Sequence, residues 1–283
     1  MSIEVKDLKK KYFKKEAVKG ATFTIESESI IGLLGRNGAG KSTVLNMIAR
    51  RIEKTSGEIT LDGVDLHKNP NAMHEVYLSS SDNWFPREYK FKDLLAIYQG
   101  TYPEFDMEFA EDLIKVFDVN VKGKYSKAST GYKSIMKIIL ALANPSEYIF
   151  LDEPVLGLDA NHRHIFNKKL LEAYARRPRT FVIATHLIEE VASILEKVIV
   201  IKDGVVTEEV LVEDVLRKGY VVSGASTLVE EYVADKKVLE TDRIGNFTRS
   251  VVIGAIGEAQ PGLEFSPLTL QDYFISITRK ENE

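Results

Sequence analysis

The chain switches repeatedly between two hydrophobic periods. Ile3–Leu8 and Val18–Ile25 alternate apolar and polar residues and predict strands. Ser29–Leu34 is a short apolar run closed by a glycine, as a buried strand is. Lys41–Arg51 has helical spacing, and Glu58–Asp62 predicts a strand leading into the turn Asp62-Gly63. Phe91–Gln99, Glu108–Phe117 and Tyr132–Ala143 predict three helices with no strand signal between them. Strands then return at Tyr148–Leu151, Thr180–Ala184 and Val198–Ile201, with helices predicted over Asn161–Ala175 and Ile188–Leu195. Strands alternating with helices imply an α/β fold with a mainly parallel sheet and helices on its faces. The helix-only block, about residues 86–145, predicts a lobe inserted into that sheet domain. Lys202-Asp203-Gly204 predicts a hairpin that ends the pattern.

Beyond residue 215 the texture changes. Gly219–Gly224 and Asn246–Gly257 are glycine-marked stretches around short β-rich runs such as Val251-Val252-Ile253. A final helix starts at Thr269 and Asp272, which have capping-box spacing, and its apolar stripe is Leu270, Tyr273, Phe274 and Ile277. The expected organisation is a domain over 1–215 and a small C-terminal α+β extension over 216–283.

Composition narrows the function. The 283 residues contain no cysteine, which removes disulfides, thiolate catalysis and cysteine zinc sites. A net charge of -4 argues against nucleic acid as a partner. The N-terminus is charged and alternating, unlike a signal peptide. The most apolar helical stretch, Ile135–Ala143, is short and broken by Lys137, so a membrane function would need a separate spanning chain.

The run Gly35-Arg36-Asn37-Gly38-Ala39-Gly40-Lys41-Ser42 fits G-x-x-x-x-G-K-[ST], and it lies between a predicted strand and a predicted helix. Glycines at those positions let successive backbone N–H groups converge on phosphate oxygens, and a helix N-terminus adds partial positive charge. Lys41 would reach the β- and γ-phosphates, Ser42 would offer its hydroxyl to Mg²⁺, and Thr43 would bond the α-phosphate. A dinucleotide fingerprint fits less well, because Thr43 stands where its third glycine belongs.

The strand Tyr148-Ile149-Phe150-Leu151 delivers Asp152 and Glu153 at its end. Asp152 suits a second anchor for a phosphate-bound Mg²⁺, and Glu153 suits a general base on an attacking water. His186 follows another predicted strand, as Lys41 and Glu153 do. In a parallel sheet those three strand ends share the ligand-binding edge, where His186 would polarise the γ-phosphate.

In this order, Gly35–Thr43, Asp152-Glu153-Pro154, Gly157-Leu158-Asp159 and Thr185-His186 resemble the ABC (ATP-binding cassette) ATPases over about residues 3–215. The resemblance implies a P-loop NTPase cassette that binds and hydrolyses ATP with Mg²⁺. It implies a homodimer, or a heterodimer with another ABC ATPase, that buries ATP at its interface. It also implies a separate transmembrane permease subunit and a peripheral place at the cytoplasmic, inner face of the cell membrane. The family signature before a lobe helix is typically L-S-G-G-Q, and here it reads Ala128-Ser129-Thr130-Gly131-Tyr132. Ser129 and Gly131 would then meet the γ-phosphate held by the partner. Tyr12 matches the aromatic that stacks on adenine, with Phe13 as its possible substitute. Asp159 matches the aspartate that couples the two sites, followed by Ala160 where proline is usual.

The family's glutamine, which touches Mg²⁺ and the membrane partner, belongs near Tyr77-Leu78-Ser79-Ser80-Ser81-Asp82. None is there. Ser80 or Ser81 stands in its place, with Asp82 acting through water. Trp84 and Phe85 lie where the family meets its membrane partner, and they fit either a docking anchor or a joint between lobes. The wording of the helical lobe is similar to bacterial exporter ATPases of the Ytr, bacitracin and phenol-soluble modulin types, which implies export of amphipathic or antimicrobial peptides. Two other readings use the same residues: a soluble ABC protein outside transport, and a regulatory nucleotide sensor with weak turnover. The basic run Arg176-Arg177-Pro178-Arg179 reads as a solvated loop, with anionic lipid as an alternative contact.

Overall fold

The computed structural model describes residues 1–80, 82, 85–257 and 260–278. The chain forms two compact units, Met1–Glu209 and Val210–Glu283, where the sequence pattern divided it at 215/216.

The first unit begins with strands β1 (Ser2–Tyr12), β2 (Lys15–Glu26) and β3 (Ile30–Leu34) and helix α1 (Lys41–Ile48). Strands β4 (Ser56–Leu61), β5 (Val64–Asp65) and β6 (Val76–Ser79) follow, then helices α2 (Phe91–Thr101), α3 (Met107–Val116) and α4 (Thr130–Leu142). Strand β7 (Tyr148–Asp152), helix α5 (Ala160–Arg176), β8 (Thr180–Thr185) and β9 (Lys197–Lys202) follow, and β10 (Val205–Leu211) runs across the unit boundary.

Among the described residues the strands of this unit form two sheets. One has the order β2-β1-β4-β5, and its β1–β2 and β1–β4 pairs are antiparallel. The other has the order β10-β9-β3-β8-β7-β6, with parallel pairing from β9 through β6. The early alternating strands therefore form their own antiparallel sheet. Its buried residues Ile3, Val5, Leu8 and Phe23 share one core with α1 and the inner strands β3, β7 and β8. Every residue of β3, β7 and β8 is buried. That is why these strands read as continuous apolar runs, each large side chain contributing roughly 1.5–3 kcal/mol of burial.

Two local expectations fail for identifiable reasons. Strand β6 was not foreseen: only four residues long, it gains its identity from parallel pairing with β7. The helix expected over Ile188–Leu195 is reduced to a single 3₁₀ turn, Ala192–Ile194. A continuous helix needs the Glu190 carbonyl for the Ile194 amide. Here Asn167 Nδ2 donates to that carbonyl at 2.6 Å, and the Ile194 amide turns to Val191 O instead. Ile188, Val191, Ile194 and Leu195 are buried all the same, which is what produced the helical spacing.

The basic run before β8 is only partly solvated. Arg176 and Arg177 are exposed and pair with Asp106 (3.2 Å) and Glu104 (3.1 Å). Arg179 is buried and donates to the carbonyls of Leu142, at 2.6 Å, and Asn144, so it caps the end of α4. Burial pulls its guanidinium down to about 10, and the two carbonyls hold the charge in place. Arg179→Met leaves both carbonyls unpaired and should destabilise the unit by about 2–4 kcal/mol, seen as a lower urea midpoint at an unchanged slope.

The second unit contains helix α6 (Val212–Arg217), β11 (Gly219–Ala225), α7 (Ser226–Val233), β12 (Lys237–Ile244), β13 (Phe247–Ile253), β14 (Leu263–Pro267) and α8 (Leu270–Thr278). Its sheet has the order β12-β13-β11-β14, antiparallel throughout, over a core of Tyr220, Val222, Val229, Tyr232 and Val252. Thr269 caps α8 as its spacing implied: its Oγ1 accepts from the Asp272 amide (3.1 Å) and donates to the Asp272 carboxylate (2.8 Å).

Candidate nucleotide-binding site

The site lies where β3, β8 and β7 end side by side. After Leu34 the chain loops through residues 35–40 into α1. Gly40 caps α1 at φ +112°, and a Cβ there would come within 2.8 Å of Ala17 O, so only glycine fits. The first amides of a helix have no intrahelical partner, so the loop and α1 present an anion cradle. Lys41 is buried, and its ammonium donates to Gly35 O at 2.7 Å. Ser42 Oγ donates to Asp152 Oδ1 at 2.9 Å, which joins the cradle to the end of β7.

Glu153 adopts the left-handed region, φ +49°, an uncommon conformation for a side chain of this kind. Its amide donates to Ala184 O of β8 at 2.8 Å. Three groups surround that carboxylate. Thr185 Oγ1 donates to Oε2 at 2.9 Å, His186 Nδ1 lies 2.9 Å from Oε1, and Lys41 Nζ lies 3.4 Å from Oε1. The structure thus brings Lys41, Ser42, Asp152, Glu153 and His186 to one edge. Thr185 went unassigned from sequence, although its place between a buried strand and His186 marked it.

Beside the cradle, Tyr12, Ser42, Thr43, Asn46, Arg51, Ile52 and Asp82 line a cavity of about 600 Å³. Its apolar side and its aromatic suit a flat base next to phosphate donors. Tyr12 lines it, whereas Phe13 is fully exposed and absent from the lining.

Ser129 caps α4, its Oγ accepting from the Tyr132 amide at 3.2 Å. Gly131 lies against the loop before α5: a Cβ on it would come within 2.3 Å of Gly157 O. Ser134 Oγ donates to Leu156 O at 3.0 Å in the same contact. Neither Ser129 nor Gly131 is part of the lining of the Tyr12–Ser42 cavity. Asp159 caps α5, accepting from the His162 amide at 2.8 Å, and this holds its exposed carboxyl below the usual carboxylate range.

In the segment expected to carry glutamine, Ser80 is buried and its Oγ accepts from the Asp82 amide at 3.1 Å. Asp82 reaches the wall of the cavity that Ser42 lines. Ser81 and Trp84 lie outside the described residues. Phe85 packs edge-on against Tyr125 and Tyr98, with ring centroids 5.0 and 6.4 Å apart.

Comparison with known proteins agrees with this fold. A sequence profile of the ABC transporter family matches residues 18–156. The ABC transporter ATP-binding protein YtrB of Bacillus subtilis is 32% identical over 85% of this chain and 78% of its own length. The chain belongs to the ABC transporter ATP-binding family. It is an ATP-binding and ATP-hydrolysing subunit of the kind that dimerises and works with transmembrane permeases. A second relative, the Nod factor export ATP-binding protein I of Burkholderia lata, is 26% identical over 99% of this chain and 97% of its own. The dimeric structure of a bacterial ABC transporter cassette covers 74% of this chain and 98% of its own with a TM-score of 0.65, at 23% identity, and shows the same fold. Among the described residues, no helix of this ABC subunit is long and apolar enough to cross a membrane.

Proposed function

We propose that this ABC subunit drives export through a separate transmembrane permease, from the inner face of the cell membrane, with amphipathic or antimicrobial peptides as cargo. The observation that carries the ATPase half of this reading is the carboxylate of Glu153, held at once by Thr185, His186 and Lys41. Export is supported by the likeness to the Nod factor export ATP-binding protein along nearly the whole of both chains.

The roles follow from position. Tyr12 stacks on adenine. The loop Gly35, Asn37, Gly38, Ala39 and Gly40, with Thr43, cradles the phosphates. Lys41 exchanges its contact with Glu153 for phosphate oxygens, whose charge and geometry suit an ammonium better. The freed carboxylate then accepts a proton from the attacking water, while His186 polarises the γ-phosphate.

The donors also fit a magnesium ion. Ser42 Oγ and Asp152 Oδ1, 2.9 Å apart, offer two hard oxygens. Among the described residues no cluster of three or more His, Cys, Asp or Glu forms a metal cage, so phosphate and water would complete the shell. Bound there, the ion would neutralise charge that develops on the phosphates.

Ser129 and Gly131, absent from the lining of the Tyr12–Ser42 cavity, would complete the partner's site, coupled through Asp159. Either a second copy or another ABC ATPase fits that position.

The test of export uses inverted membrane vesicles carrying the chain and its permease. ATP should drive a fluorescent amphipathic peptide into the vesicles, and Glu153→Gln should stop it. Vesicles that hydrolyse ATP yet lose preloaded peptide to the medium would show the opposite direction of transport.

A further inference from the structure

Lys137 is the charged residue in the otherwise apolar second half of α4. Ile135, Met136, Ile138 and Ile139 around it are all buried. An ammonium among such neighbours costs solvation, and burial holds Lys137 below its ordinary value. Such a cost is retained where the charge has specific partners. Lys137 Nζ donates to Ser80 O at 2.9 Å and to Asp82 O at 2.8 Å, bridging from α4 to the segment after β6. The carboxylates of Asp82 and Asp152 attract it, while Lys133 and Arg51 oppose its charge. Its side chain lines a cavity of about 90 Å³ together with Ser80, Asp152 and Glu153.

These contacts form a physical path. Helix α4 opens with Ser129–Gly131, the segment assigned above to the partner's phosphate. Lys137 lies two turns further along the same rigid helix. Its ammonium grips the backbone of Ser80 and Asp82, and Asp82 lines the cavity with Ser42. A glutamine side chain on that segment would reach the metal directly. In this chain a lysine from the facing helix holds the segment by its carbonyls instead.

We infer that Lys137 is a positioning residue for ATP hydrolysis, holding Ser80 and Asp82 at the metal end of the phosphate cradle and tying their place to that of α4. This inference rests on the ATPase reading of the site. Lys137 acts through the Asp82 carboxylate and the backbone beside it.

The test compares Lys137→Met and Lys137→Arg in the full chain. Loss of two charge-assisted bonds at this place should lower kcat about tenfold or more while KM for ATP stays within about twofold. A second readout needs no turnover: the Mg²⁺ concentration at which binding of a fluorescent ATP analogue is half-enhanced, measured in the Glu153→Gln background. Lys137→Met should raise that midpoint about tenfold, and Lys137→Arg should restore both values to within about threefold, because a guanidinium can still bridge two carbonyls.

Wild-type kcat and Mg²⁺ midpoint in Lys137→Met would overturn the inference. So would a loss limited to thermal stability, with both readouts unchanged at a temperature where the variant is folded. Failure of the underlying reading shows differently: Glu153→Gln alone would then leave hydrolysis intact, whatever Lys137→Met does.

Discussion

Replacing Lys41 by alanine should weaken ATP binding about a hundredfold and leave hydrolysis below about one-hundredth of the wild-type rate. Two losses combine. The cradle loses its buried cation, so the phosphates meet backbone dipoles without a full positive charge. Glu153, at 3.4 Å from that cation, also loses the group that balances its carboxylate. The fold should tolerate the change, because the ammonium's partners Gly35 O and Arg36 O belong to a loop at the surface of the cradle rather than to a strand ladder. Calorimetric titration with ATP and a phosphate-release assay check both figures, with circular dichroism as the control on folding. An alanine variant that binds ATP with wild-type affinity would remove Lys41 from the site.

Glu153→Gln should separate binding from chemistry. The amide keeps the shape of the carboxylate and can still meet Thr185 and His186, but it cannot accept the proton of an attacking water. Hydrolysis should fall by about a hundredfold to a thousandfold, with KM for ATP little changed. The loss should appear in kcat, since the interaction concerns the transition state. Single-turnover measurement of phosphate release decides it. Equal losses in kcat and in ATP affinity would mean that Glu153 mainly builds the cradle.

The sheet edge that carries these residues was legible because its strands are buried on both faces. A strand such as Tyr148–Asp152, wholly buried, leaves an unbroken apolar run, and the acids at its end stand out. The phosphate loop was legible because close backbone approach at Gly40 admits no other residue, and the motif records it. Strand β6 left no comparable trace, since its parallel pairing with β7 is a tertiary fact. The stretch Ile188–Leu195 misled because buried residues at helical spacing also fit successive turns, and the competitor for its hydrogen bond was Asn167, in a different helix. The separate antiparallel sheet was hidden for a similar reason: alternation in Ile3–Leu8 predicts a strand without naming its neighbours. Lys137 was visible only as an interruption of an apolar helix. Its meaning depended on two carbonyls more than fifty residues earlier in the chain.

The central claim is an ATP-dependent engine in which Ser129 and Gly131 of one cassette complete the cradle of another, either a second copy or another ABC ATPase. Light scattering of purified Glu153→Gln, with and without ATP and Mg²⁺, tests it most directly. The account predicts a monomer without nucleotide and, with ATP and Mg²⁺, a dimer formed either by the chain alone or with an added partner ABC ATPase. A chain that binds ATP and stays monomeric at every concentration tested, with and without a partner ABC ATPase, would contradict it.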